Sequence, residues 1–327
     1  MEQLIYEGIV VGLSSIAHSG GQSFGISTKL RREKFVQLDG SVEEIPVISG
    51  NSLRGYLRDL GMLHLCRTLG YGINEQTGEV LGLSLPAFYF LFSGGTLTSE
   101  AGRGLDLAGM RQLRELIPLV SVFGGAFGNA ILPGKIKIGK LIPLCAETAH
   151  LLPIRFAEAP HCQQSIWEYL QEEMYTRKDD AKNEHYQPLL QPAVRGLLSE
   201  TAGKKRQAQE AGTEVAERPG TAQQLMYYVE TLAPGTSFHW KIVLDDLTPL
   251  EMDAWLTTLN EFSKKPYVGG KSAVGLGEVA VRFDRWLQID SRVQGTGTEV
   301  VLGLGQQYAQ HLATHGDAIR RMLNAVA

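Results

Sequence analysis

Cysteine is scarce in this chain. Cys66, Cys145 and Cys162 lie far apart and form no CxxC pair. That argues against a disulfide framework and against a cysteine zinc site, and fits a reduced, cytoplasmic setting. No apolar run approaches the roughly 18 residues that a membrane span needs. The opening MEQLIYEGIVV carries acids and no basic stretch, so no signal peptide is expected. Basic residues are not in excess: Lys and Arg number 31 against 35 Asp and Glu, a net charge of -4 over 327 residues. A nucleic-acid binder usually has a basic footprint, so any such role requires the charge to be unevenly placed. HExxH, GxSxG and a paired-carboxylate signature are all absent. No internal repeat is present, and no cofactor or metal site is expected.

The basic residues are indeed clustered. Lys29, Arg31, Arg32 and Lys34 fall within KLRREK; Lys135, Lys137 and Lys140 form a second group; Lys204, Lys205 and Arg206 a third. Each cluster reads either as a solvated face or as a track for phosphates.

The pattern along the chain is α+β. Residues 4–13 read as a buried strand and 14–34 as a loop. Residues 52–69 read as a helix with Asn51 as its N-cap. From Asp106 a helical face runs toward Gly124 and Gly125, with Pro118 as a kink. PAFYFLFSGG reads as strand or helix. Residues 131–144 read as a strand with lysines on one face. Residues 225–244 form two strands around a Pro-Gly turn. Residues 248–264 form a helix whose Thr248 and Glu251 make a capping box, and a strand and a C-terminal helix close the chain. Between these, residues 171–224 are highly charged and poor in core residues, as an inserted arm would be. Without the insertions, the order is that of a β-α-β-β-α-β ferredoxin-like core. Its expected division is a core of residues 1–170 and 225–290 with an insertion at 71–115, the arm at 171–224, and a helical segment at 291–327.

Three segments could carry chemistry. YVGGKSAVGLGE (267–278) contains GKS, but position 265 is Lys where a P-loop needs Gly. The predicted helix-before, strand-after order is also the reverse of a P-loop's. Two readings remain: a plain helix-to-strand connector, or an anion-gripping loop using Gly270, Lys271 and Ser272. SGNSLRG (49–55) sets Asn51 and Ser52 at a helix N-terminus that favours anions, with Arg54 and Arg58 one turn apart; simple capping is the other reading. His18, before Gly20-Gly21, is either a general base or a hydrogen-bonding loop residue.

Four segments together carry a family resemblance. VISGNSLRGYLRDL resembles the IPGSSLRGxLR motif of the CRISPR-associated RAMP superfamily. SVFGG resembles that family's helix-terminal FG motif, LAPGTSFHWKIVL its pGt-x-F strand, and YVGGKSAVGLGEV its C-terminal glycine-rich loop. They occur in the family's order and cover residues 1–70, about 115–145 and about 225–285. The resemblance implies a modified ferredoxin-like (RRM-like) core with large insertions. The arm would be a thumb-like hairpin reaching over a neighbouring copy. Length and the MYTRKDD start of the arm look most like the type IV effector backbone protein, with the type III backbone second.

By that resemblance the partners are a CRISPR guide RNA, copies of the same chain in a helical filament, and other effector subunits. Target DNA or RNA would be bound by pairing with the guide, and a helicase is an accessory partner. Asn51, Ser52, Arg54, Arg58, Gly270, Lys271, Ser272, His18, Lys29, Arg31 and Arg32 would contact RNA, with Lys204, Lys205 and Arg206 on the arm. Type III relatives cut target RNA with an Asp in the loop after the first strand. Here that loop, GGQSFGISTKLRREKF, has no Asp, and its first acid is Glu33. A non-cleaving backbone is therefore expected. The alternatives are a type III-like endoribonuclease and an unrelated phosphate-ligand enzyme.

Overall fold

The computed structural model describes residues 2–24, 27–73, 80–95, 107–127, 130–177, 225–290, 298–299 and 306–325. In chain order, β1 (Glu2–Gly12) is followed by β2 (Ser19–Phe24), β3 (Ser27–Leu30), β4 (Arg32–Val36) and β5 (Val42–Pro46). Next come α1 (Gly50–Thr68), β6 (Gly72–Ile73), β7 (Val80–Leu81) and α2 (Leu85–Phe88), which runs on as a π-helical turn, Tyr89–Ser93. After α3 (Leu107–Leu116) and α4 (Pro118–Phe123) lie the short strands β8 (Gly125–Phe127), β9 (Ala130–Leu132), β10 (Ile136–Ile138) and β11 (Ile142–Pro143). The rest is α5 (Ile154–Ala157), β12 (Leu170–Arg177), β13 (Leu225–Leu232), β14 (Ser237–Asp245), α6 (Pro249–Lys264), β15 (Val279–Asp290), β16 (Thr298–Glu299) and α7 (Gln307–Ala325).

The chain divides into two compact units. The first comprises Met1–Gly20, Leu30–Leu170 and Thr231–Ala327; the second comprises Gly21–Lys29 and Gln171–Glu230. The first unit is built on a sheet in the order β10-β14-β1-β15-β16. β1 lies antiparallel to both β14 and β15, and β10 antiparallel to β14. Taking β1, β10, β14 and β15 as strands one to four, the sheet order is 4-1-3-2. α1 follows the first strand and α6 the third, which is the path of a β-α-β-β-α-β plait. The fold is α+β, as the pattern predicted.

Alternation along β1 and β14 puts Leu4, Tyr6, Val10, Phe238, Trp240, Ile242 and Leu244 on the helix-facing side. They pack with Leu53, Leu57, Met62 and Leu65 of α1 and Trp255 and Phe262 of α6. Gly61 of α1 has a packing reason: a Cβ there would stand 2.6 Å from Thr258 Oγ1 of α6. Gly8 marks a bulge in the β1–β15 ladder, where a Cβ would meet Arg282 O at 2.0 Å. The capping box of α6 forms as predicted: Glu251 N–H donates to Thr248 Oγ1, and Thr248 N–H to the Glu251 carboxylate. Pro118 separates α3 from α4 at Ile117.

The opposite face of the sheet is partly covered. Leu144, Leu152, Phe156 and Cys162 pack there with Ile9 and Ile142. Glu7 on the same face holds His239 Nε2 at 3.1 Å and accepts from Arg155 at 2.8 Å. A bare sheet face of the kind many plait domains offer to RNA is therefore not available around Ile9 and His239.

Two expectations are corrected, and one left open is decided. The supposed loop of residues 14–34 contains β2, β3 and the start of β4, because Gly and Ser break its alternation without preventing pairing. Residues 131–144 form three short strands, with turns at Pro133-Gly134 and Gly139-Lys140. There Gly134 lies so near the main chain of α4 that a Cβ would meet Phe123 C at 2.6 Å. PAFYFLFSGG, open in sequence between strand and helix, is helical as far as Ser93.

The second unit carries a four-stranded sheet in the order β12-β13-β3-β2. β13 runs parallel to β3, pairing Tyr228 with Ser27. Tyr175 and Tyr227 stack at 5.3 Å between ring centroids. Most of the predicted arm, including Lys204, Lys205 and Arg206, lies outside the described residues.

Candidate nucleic-acid interface

The glycine loop follows α6 and precedes β15, the reverse of a P-loop's order. Its two ends are closed by Val268 N–H donating to Gly277 O at 2.8 Å and by a bridge between Tyr267 and Glu278. Two further main-chain bonds tie it to the segment after β1: Gly270 N–H to Ala17 O at 2.7 Å, and Gly277 N–H to Ser15 O at 2.8 Å. Val268 and Leu276 are buried as apolar pegs. Gly269 (φ 77°) and Gly277 (φ 87°) must be glycine, since a Cβ would stand 2.2 Å from Ala17 O or Val268 O respectively. Between the pegs, residues 269–275 are exposed. Lys271 sits in the left-handed region at φ 62°, which costs a residue with a β-carbon about 1–2 kcal/mol. It starts a 3-10 turn, Ser272–Val274, that Gly275 closes at φ 87°. The loop therefore carries Lys271 and Ser272 at an exposed crest of fixed backbone shape.

The same segment after β1 reaches α1. Ser49 N–H donates to His18 Nε2 at 3.1 Å, so the imidazole is neutral with its proton on Nδ1. Burial and the nearby Arg31 charge push the His18 pKa below its usual range. Arg31 N–H donates to His18 O at 2.7 Å, and Val47 N–H to Arg31 O at 3.1 Å. The N-cap of α1 is Ser49, whose Oγ accepts from Ser52 N–H. This corrects the assignment of Asn51, which is exposed at the second helical position. The bond that Ser49 N–H donates to His18 Nε2 holds the chain at Ser49 as it enters the helix. No acid stands in the first turn of α1, so its positive end is not locally neutralised. Main-chain bonds and the His18 side chain thus gather Gly270, Lys271 and Ser272, His18, Arg31 and the α1 N-terminus with Asn51 and Ser52 into one neighbourhood.

The remaining predicted residues do different things. Arg58 is buried. Its Nη2 donates to Phe123 O at 2.8 Å and to Gly124 O at 2.7 Å, so it caps the C-terminus of α4. Burial and the Arg54 charge lower its pKa to about 10. Gly94 makes room for it, since a Cβ there would be 2.3 Å from Arg58 Nη1. An RNA phosphate cannot reach a guanidinium so enclosed, and Arg58 is corrected to a packing residue. Arg54 also donates to Phe123 O but is only half-buried. Arg31 pairs with Glu33 at 3.8 Å, and Lys140 with the same carboxylate. In the second unit, Lys29 lies 3.8 Å from both Glu172 and Glu230. Lys135 and Lys137 pair with Glu251 and Asp245. Much of the basic character of these clusters is therefore internally balanced.

One residue was missed. Trp167 is substantially exposed, and the Arg32 guanidinium lies 5.2 Å from its ring centroid. An exposed indole beside an arginine is a platform on which a base can stack. The signal was a lone Trp in the polar stretch QQSIWEY, visible only once Arg32 is placed beside it. Among the described residues no three or more His, Cys, Asp or Glu gather as metal ligands would, and no helix is long and apolar enough to cross a membrane.

Comparison with known proteins adds the fold. No family model matches the chain, and no curated protein does. Among solved structures, a chain of a Type IV-B CRISPR Complex superposes with a TM-score of 0.54 at 22% identity, over 96% of this chain and 99% of that one. The two chains share a fold. Plait cores recur among unrelated proteins; here the superposition spans nearly the whole of both chains.

Proposed function

We propose that this chain is a guide-RNA-binding backbone subunit of a multisubunit CRISPR effector complex, most like type IV, that repeats along the RNA and does not cleave its target. The observation that carries the reading is the fold shared, over nearly its whole length, with a chain of a Type IV-B CRISPR Complex. The gathered surface supports it. Guide RNA must be held without regard to sequence, which means through phosphates. An exposed glycine crest bearing Lys271 and Ser272, joined through Ala17 and His18 to an unneutralised helix N-terminus, suits a phosphate backbone. Trp167 over Arg32 suits a base. A net charge of -4 is compatible with this, because several acids pair with lysines elsewhere while Lys271 stands on an exposed crest. The first acid after β1, Glu33, is engaged by Arg31 and Lys140, which favours a non-cleaving role. Target DNA or RNA would then be met by pairing with the guide, among other effector subunits.

The test is to purify the chain after co-expression with a guide RNA and measure particle mass and nucleic-acid content. A particle far heavier than the 35.8 kDa monomer, carrying a discrete RNA, is expected. Lys271→Glu should release RNA, most visibly at raised salt. A monomeric, RNA-free protein in the presence of its guide would refute the reading. Adding complementary RNA and magnesium to the assembled particle separates the endoribonuclease alternative, which demands regularly spaced cuts.

A further inference from the structure

α7 carries two histidines that the proposed RNA surface does not use. The helix is firmly seated in the first unit. Tyr308, Leu312, Ile319 and Leu323 are buried. Tyr308 N–H donates to the Asp253 carboxylate of α6 at 2.7 Å, and Arg320 donates to Leu69 O at the end of α1 at 2.7 Å. Between these two fixed points lie His311 and His315.

Residues four apart on a helix are neighbours on one face. Here the two imidazole rings stand 4.7 Å apart between centroids, inclined by 44°. His311 is half-buried and His315 is exposed. Nε2 of His311 lies 3.0 Å from the carbonyl oxygen of Leu116, the last residue of α3. A carbonyl oxygen only accepts, so Nε2 carries the proton and donates it. In the neutral ring Nδ1 is then a bare lone pair. Histidines that ligate a metal are as a rule oriented in this way, one ring nitrogen donating to a carbonyl or carboxylate and the other turned to the ion. A carbonyl from a different helix thus fixes the tautomer of His311, beside a second imidazole.

We propose that His311 and His315 form a two-nitrogen chelate for a late first-row divalent ion: zinc, nickel or copper. Imidazole suits these metals, whereas magnesium and calcium require oxygen ligands. Zinc peptidases place two histidines at the same spacing, with a glutamate after the first as general base. In HLATH that position is Leu312, which is buried, so the pair binds an ion without hydrolytic machinery. Among the described residues no third His, Cys, Asp or Glu joins the pair. Water completes the coordination, and the affinity is below that of a closed four-ligand site. Ligation draws electron density out of the His311 ring and strengthens its bond to Leu116 O, so the metal tightens the hold of α7 on α3.

The probe is the metal alone. Zinc, nickel or copper chloride is titrated calorimetrically into untagged, chelator-treated full-length protein, with magnesium chloride as the control. Wild type should take up one equivalent that His315→Ala binds at least about tenfold more weakly, with copper tightest of the three. His315 is exposed, so its removal leaves the fold in place, and a melting curve of the variant checks this. Hydrogen exchange of the α7 amides should slow when zinc is added to wild type and stay unchanged in His315→Ala. Equal affinity of wild type and His315→Ala for all three metals overturns the proposal, as does wild type that binds none of them or binds magnesium equally well. Zinc that binds at the pair without slowing exchange overturns the link to α3. RNA affinity enters none of these outcomes, so they judge the chelate whether or not the RNA reading stands.

Discussion

Replacing Arg58 by methionine separates the two roles that sequence gave its helix. The substitution keeps much of the apolar stem and removes the guanidinium. Gly124 O then loses its charged donor, while Phe123 O keeps the donor from Arg54. A hydrogen bond to a charged group contributes about 1.5–3 kcal/mol, and a buried carbonyl left without a donor costs about 1–3 kcal/mol. The lost contact with the Phe123 ring, 5.7 Å from the guanidinium carbon, adds to this, so a loss of about 2–4 kcal/mol is expected. For a unit of this size that corresponds to a fall in Tm of roughly 5–15 °C. Urea unfolding followed by circular dichroism reads the free energy, and filter binding at low temperature reads RNA affinity. The expected result is a large stability loss with RNA affinity of the folded protein little changed. A stability loss under about 1 kcal/mol would refute the capping argument. So would an RNA defect at unchanged stability.

Three further outcomes are expected. Gly269→Ala places a Cβ 2.2 Å from Ala17 O at φ 77°. It should weaken RNA binding and lower Tm together, whereas Lys271→Glu should weaken RNA binding with the smaller change in Tm; identical behaviour of the two in melting and binding assays would contradict the anchoring scheme. The depressed pKa of His18 means that the folded protein resists protonation that the unfolded chain accepts. Its contribution to stability is therefore present above the ordinary histidine pKa and lost as pH falls through the folded value. His18→Gln should make the stability difference between about pH 7.5 and about pH 5 smaller than in wild type, by urea titration at each pH. Trp167→Ala should cost about 1–3 kcal/mol of RNA affinity if a base stacks there, with a salt dependence like that of wild type; an unchanged affinity removes the platform.

The plait was legible because its elements are locally marked. Thr248 and Glu251 announce α6, Pro118 breaks α3 from α4, and alternation in β1 and β14 is clean. What stayed hidden depends on partners distant in sequence. The N-cap is Ser49, and the group that takes its N–H is a histidine 31 residues earlier. Arg58 read as a surface cation because its partners are carbonyls of residues 123 and 124, which carry no side-chain signature. The basic runs read as a groove because their acids, such as Glu172 and Glu230 for Lys29, lie far along the chain. By contrast, the rejection of GKS as a P-loop needed only local order, and the structure bears that order out.

The glycine loop is held in shape by its ends, through the main-chain groups of Ala17, Ser15, Val268 and Gly277 and the two buried pegs. None of these anchors involves the side chains of residues 271–274. Shape and chemistry are thus inherited separately at this crest. Lineages could exchange Ser272 and its neighbours for other polar residues, retuning grip or salt tolerance, while these anchors stay in place. Grafting a foreign tetrapeptide at these four positions would be a direct way to rewrite what the crest holds.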